Sequence, residues 1–227
     1  LLGDNYSKDK NGVYIQNYKV PEADVSTFIK LNDYYSKDKN SVYFGTEKMK
    51  NADSETFTII GEVYAKDKNH VYLNDKSVDG ADVATFEELG YRISKDKNSV
   101  YFYDGKVTGK VAGADSESFS KVQDDFYKDK NSVYLNENKI NGTDPETFKI
   151  INELYSKDKN SVYYKEIKIK SMNSSTFQYL GAGYARDKDH IFYLWQKTEL
   201  DPKSFKILRY GISKDKNHVY SQDRVLE

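Results

Sequence analysis

The sequence contains no cysteine, and in 227 residues it has three prolines, two methionines and one tryptophan. Without cysteine, disulfide frameworks and thiolate metal sites are excluded, and the redox compartment cannot be read. No apolar run approaches eighteen residues and no signal-like start is present, which argues against a membrane-spanning helix and an intact targeting segment. Leu1 is not an initiator methionine, which is compatible with a leader removed upstream. Net charge is also missing: 35 Lys and Arg stand against 36 Asp and Glu, with no block of one sign. Nucleic acid and anionic membrane surfaces are therefore set aside as partners. The hydrophobic share, 37%, is low, but 21 Tyr and 11 Phe supply large buriable rings, so the chain reads as folded.

What is present is a repeat. Asp-Lys pairs begin at Asp9, Asp38, Asp67, Asp96, Asp129, Asp158, Asp187 and Asp215, with spacings of 29, 29, 29, 33, 29, 29 and 28. Asn follows in seven copies and Asp189 in the other. Five residues after each Asp stands an aromatic, Tyr14 through Tyr220 with Phe192 the one departure, preceded by Val or, once, Ile191. Three residues before the Asp lies another large apolar side chain: Tyr6, Tyr35, Tyr64, Ile93, Phe126, Tyr155, Tyr184 and Ile212. Two short strands around a four-residue turn fit this spacing, the Asp capping the turn and the Asn supplying a left-handed position. The register then pairs Tyr64 with Leu73, Tyr35 with Phe44 and Phe126 with Leu135. The aromatic column faces small residues such as Ser36, Ala65 and Ser94, which leave room for a ring. The lysines flanking each turn read as a solvated guard on the strand edges.

Between hairpins, Asp24, Asp53, Asp82, Asp115, Asp144, Asn173 and Asp201 each precede a Phe by four residues. Asp or Asn there is a natural N-cap, and Pro145 and Pro202 stand at the first helical position. Phe and the aliphatic three residues later would share a helix face, with Gly61, Gly90 and Gly181 at the exit. The fold predicted is α+β, a solenoid-like array over residues 1–227 in which eight β-hairpins are each separated by a short N-capped helix. Neither part is stable alone, so each repeat buries its rings against its neighbour. The pattern leaves open whether strands of adjacent repeats pair.

The stretch Lys37-Asp38-Lys39-Asn40-Ser41-Val42-Tyr43-Phe44 and its echoes, with Gly80-Ala81-Asp82 leading to Thr85-Phe86, resembles the bacterial DKNYY repeat family across essentially the whole chain. The second Tyr of the family motif occurs here only as Tyr164 and Tyr193. The resemblance implies a bacterial origin, a repeat fold and a secreted, periplasmic or cell-envelope setting, and it brings no enzymatic activity with it.

Nothing in the sequence assembles catalytic chemistry. His70, His190 and His218 share one slot that Gly12, Ser41, Ser99, Ser132 and Ser161 fill elsewhere, as expected of an exposed turn position. Asp-x-Asn opens like a calcium loop, but the distal bidentate Glu is missing: Val20 stands where Asp9 would require it. No catalytic, cofactor or metal residue is therefore assigned, and no cofactor is expected. Departures from the repeat are better candidates for binding. The fourth repeat carries four extra residues around Tyr103, Asp104, Gly105 and Lys106, where Asp-Gly suggests an extended hairpin or protruding loop. The seventh is one residue short and holds Arg186, Asp189 and Trp195. The expected function is a non-catalytic scaffold binding a protein partner. The alternatives are a glycan-binding cell-envelope module stacking sugars on its tyrosines and a toxin-neutralising (immunity-type) protein.

Overall fold

The computed structural model describes residues 5–61, 63–90, 92–105, 108–209, 211–222 and 224–226. The chain divides into two compact units, Leu1–Glu117 and Ser118–Glu227. Each consists of small antiparallel sheets in sequence order, eight among the described residues, the first three-stranded and the others four-stranded. Among the described residues no strand of one sheet pairs with a strand of another.

The third repeat shows how a sheet is made. Its strands are Thr58–Ile60, Tyr64–Lys66, Val71–Leu73 and Lys76–Ser77, paired in that order as a meander. The central hairpin has the register the spacing predicts: Tyr64 faces Leu73, Tyr35 faces Phe44 and Phe126 faces Leu135. Its four-residue turn is closed by the Asp, whose Oδ1 accepts the amides two and three residues on, as Asp67 does from Asn69 and His70. The turn asparagines are not left-handed. Positive φ falls instead in the turn that follows the strand carrying the aromatic column, at Gln16, Gly45, Asn74, Asn136, Lys165, Leu194 and Gln222. Two amides held by one carboxylate already shape the first turn, so no strained residue is needed there.

The expected helices are absent, and the fold is nearly all β. Among the described residues the one helical element is a single 3-10 turn, Ser174–Thr176. The caps form: Asp53 Oδ1 accepts from Thr56 N and Thr56 Oγ1, and Asp144 Oδ1 from Glu146 N and Thr147 N. One turn later, however, the residues after each Phe join the sheet as its first strand, Thr58 opposite Lys66 and Ile60 opposite Tyr64. A two-turn helix is too short to hold itself in water, whereas a neighbouring strand satisfies the same amides at once. Gly61, with φ +75, accordingly belongs to the turn joining first and second strands rather than to a helix exit. Val122, Ile151 and Leu208, expected on a buried helix face beside Phe, are more than 40% exposed.

Burial follows the repeat and joins neighbours. Tyr35, Val42 and Met49 of the second repeat form one cluster with Phe57, Ala65 and Tyr72 of the third. Tyr155, Val162 and Ile169 do the same with Ala185 and Phe192. The linker Phe is the key ring. Phe57 lies 5.4 Å from the Tyr35 centroid and 5.7 Å from that of Tyr72, and Phe86 bridges Tyr64 and Tyr101 in the same way. The small column opposite the aromatic receives the preceding repeat's Tyr: Ser94 Oγ donates to Tyr64 OH at 3.2 Å, and Ser213 Oγ lies 2.9 Å from Tyr184 OH. Where the small residue is Ala65, Tyr35 OH reaches past it to Asn74 O at 2.8 Å. The third hairpin is thus dry on both faces, with Tyr64, Ala65, Val71 and Tyr72 all buried, which a solitary hairpin cannot be.

Candidate functional site

The Asp-Lys-Asn turn clamps the linkers on either side through its carboxylate, its lysine and its backbone. Asp67 is 3% exposed. Its Oδ1 holds its own turn, while Oδ2 accepts Asp53 N at 2.8 Å and Tyr72 OH at 2.7 Å. The same pair of bonds recurs at Asp38, from Asp24 N and Tyr43 OH, and at Asp158, from Asp144 N and Tyr163 OH. The fixed spacings, fourteen residues from linker Asp to turn Asp and five from turn Asp to Tyr, are therefore hydrogen-bond spacings. Both columns were visible in the sequence; that they meet was not.

The flanking lysines, expected to guard strand edges, belong to the same clamp. The lysine before the Asp caps the following linker, Lys37 Nζ donating to Ser54 O and Phe57 O. The lysine after it grips the preceding linker: Lys68 N donates to Thr56 Oγ1, and Lys68 Nζ lies 2.8 Å from Asp53 Oδ2. That ammonium and the Thr56 hydroxyl hold the Asp53 carboxyl down at about 2. Burial would raise the Asp67 carboxyl, yet the hydrogen bonds from Asp53 N, Tyr72 and its own turn outweigh burial and keep it below the ordinary value. Burial and the Asp38 carboxylate push the Tyr43 phenol up to about 12. These carboxylates face protein donors, and among the described residues no cluster of three or more His, Asp or Glu could hold a metal ion.

The seventh repeat rewires the clamp. Phe192 has no hydroxyl to give Asp187, and His190 Nδ1 stands 3.5 Å from Asp187 Oδ1. Asn173 replaces the linker Asp, and Lys188 turns to Asp189 instead, at 3.6 Å. In the third repeat His70 and Tyr72 coexist, with Tyr72 OH still on Asp67. Phe192→Tyr is therefore expected to stabilise the second compact unit by about 1 kcal/mol, the net worth of one added hydrogen bond. Paired urea titrations with and without the substitution measure it; an unchanged or lower midpoint refutes the analogy.

The tyrosine column is consequently no platform for sugars: Tyr43, Tyr101, Tyr134 and Tyr163 are each 1% exposed or less. What does face solvent is the departure in the fourth repeat. Its third and fourth strands, Val100–Tyr103 and Thr108–Lys110, extend the hairpin, with Tyr103 paired to Thr108 and Gly105 at φ +101 in the connection. Tyr103, half-buried, donates to Gly105 O at 2.9 Å and accepts from Asn74 Nδ2 at 3.4 Å. Tyr103, Gly105 and Thr108 thereby form one wall of a cleft of about 300 Å³ whose other wall is Leu73–Ser77 and Asp79 of the third repeat. A second cleft, about 630 Å³, shares Asp75, Lys76, Ser77 and Asp79 and continues to His70 and Glu47–Asn51. Asp104 is exposed at the tip, and Lys106 lies outside the described residues. Sequence reasoning found the insertion but missed Asn74–Ser77, whose Asn-Asp pair signals only a turn. Trp195 belongs to the other compact unit, 40% exposed with its ring 5.1 Å from that of Tyr164.

Fold and clamp define a class: a nearly all-β tandem repeat in which a recurring turn rivets the preceding linker to its sheet, as at Asp38, Asp67 and Asp158. The family model for the DKNYY family matches residues 2–105 and 100–224, two tandem matches, and the chain belongs to that family. No curated protein and no solved structure matches it.

Proposed function

We propose that the chain is a non-catalytic scaffold that binds a protein partner through the cleft under the fourth-repeat insertion. The observation that carries this is geometric. The four extra residues interrupt a 29-residue period, and the hairpin they lengthen walls a cleft against the preceding repeat. Repeat proteins place insertions on the face they use, while the turn carboxylates are taken up by the clamp. The cleft offers a partly buried phenol, an amide and two carboxylates, Asp75 and Asp79, a set suited to hydrogen-bonded recognition. Shortening the connection to the two-residue form of the third repeat should leave thermal unfolding unchanged and abolish capture of the partner retained by the unaltered chain. Equal capture by the shortened chain sinks the proposal.

A second reading rests on Trp195. Its exposed indole packed against Tyr164 offers a flat apolar surface of the kind that takes a sugar ring or a partner's side chain. Saturable quenching of its fluorescence on a glycan array favours carbohydrate.

A further inference from the structure

We propose that Asn141 is a site of spontaneous deamidation and isoaspartate formation, and that the turn aspartates protect the seven asparagines of the repeat motif from the same reaction. Asparagine is thermolabile because the amide nitrogen of the next residue can attack its side-chain carbonyl. The new N–C bond closes a succinimide and expels ammonia, the attacking nitrogen's proton passing to solvent. Water then opens the ring at either carbonyl, leaving aspartate or isoaspartate. A small following residue and a free following amide favour the attack.

The motif places labile pairs in seven of the eight turns: Asn11-Gly12, Asn40-Ser41, Asn69-His70, Asn98-Ser99, Asn131-Ser132, Asn160-Ser161 and Asn217-His218. In every one the attacking nitrogen is tied up. Gly12 N donates to Asp9 Oδ1 at 3.1 Å, and Ser41, His70, Ser99, Ser132, Ser161 and His218 donate to their own turn Asp at 2.7–3.0 Å. A proton held by a carboxylate is harder to lose, and the bonded nitrogen cannot swing toward the asparagine. Asn141-Gly142 carries the most reactive following residue in an exposed linker turn, both residues open to solvent. No protein acceptor takes the Gly142 N–H among the described residues, whereas Gly142 O is held by Tyr163 OH at 2.7 Å. Rerouting the backbone through the Asn141 side chain adds a methylene immediately before that bond and before Asp144 N, which Asp158 Oδ2 holds at 2.8 Å. The modification therefore lands on the rivet between fifth and sixth repeats.

The test ages the full chain in mildly alkaline buffer and follows each asparagine by peptide mass and isoaspartyl methyl-transfer labelling. Asn141 should convert at least about tenfold faster than Asn11, the factor expected when a charge-assisted hydrogen bond restrains one of two identical Asn-Gly pairs. In urea the two pairs should converge. Asp9→Ala, at an exposed turn where Asp9 Oδ1 accepts from Asn11 N and Gly12 N, frees Gly12 N and should raise the Asn11 rate about tenfold while leaving Asn141 unchanged. Folded-state rates at Asn141 no faster than at Asn11, or an Asn11 rate indifferent to Asp9→Ala, overturns the inference.

Discussion

Asp67→Ala is expected to remove about 4 kcal/mol or more from the first compact unit. The carboxylate accepts from Asn69 N, His70 N, Asp53 N and Tyr72 OH, and it is 3% exposed. Each buried donor left without an acceptor costs about 1–3 kcal/mol, and the amides of Asp53, Asn69 and His70 lose theirs, while Tyr72 OH keeps Asn51 O at 3.0 Å. That loss is a large part of the stability of an ordinary domain, so the variant should unfold at much lower urea. Asp9→Ala is the control: Asp9 is exposed and, among the described residues, holds Asn11 N and Gly12 N alone, so its loss should stay near the small range of surface substitutions. Equal costs at the two positions would show that Asp67 merely shapes its own turn. Acid probes the same hub. Its folded carboxyl lies below the ordinary value of 3.8, so its stabilisation is present above that pH and disappears as pH falls through the folded value.

Phe57→Ala should cost about 3–5 kcal/mol, the range for deleting a buried ring, because Phe57 is 3% exposed between Tyr35 and Tyr72. The distribution of the damage is the sharper expectation. Since one ring closes the cluster of two repeats, hydrogen-exchange protection should fall in both Tyr35–Phe44 and Tyr64–Leu73, not in one sheet alone. Tyr18→Ala, at a ring 70% exposed, should change neither stability nor exchange. Protection lost only in the third repeat would mean that the sheets fold independently.

Much of this architecture was legible because its signals are local. A turn Asp with strands at fixed offsets sets a hairpin register within nine residues, and the pairs Tyr35 with Phe44 and Tyr64 with Leu73 follow. The helix expectation failed for a reason equally physical. Capping chemistry at Asp53 specifies how a turn begins, not how far it continues; Thr58, Ile59 and Ile60 find a partner strand before a second turn can form. The β-branched run and the Gly61 turn after it were the signal for a strand. The lysines show the same limit, since a charge beside a turn looks solvated until the carbonyls it meets, Ser54 O and Phe57 O, are brought to it by a segment seventeen to twenty residues away.

The sequence alone determined the period, the hairpins and the place where the period breaks, because these depend on residue spacing along one chain. Only the tertiary structure decided that the linkers are strands, that the turn carboxylate joins one repeat to the next, and that Tyr103 meets Asn74 across a cleft. Each of those requires two segments to compete for the same hydrogen-bonding groups in space, and no single stretch of sequence records which of them wins.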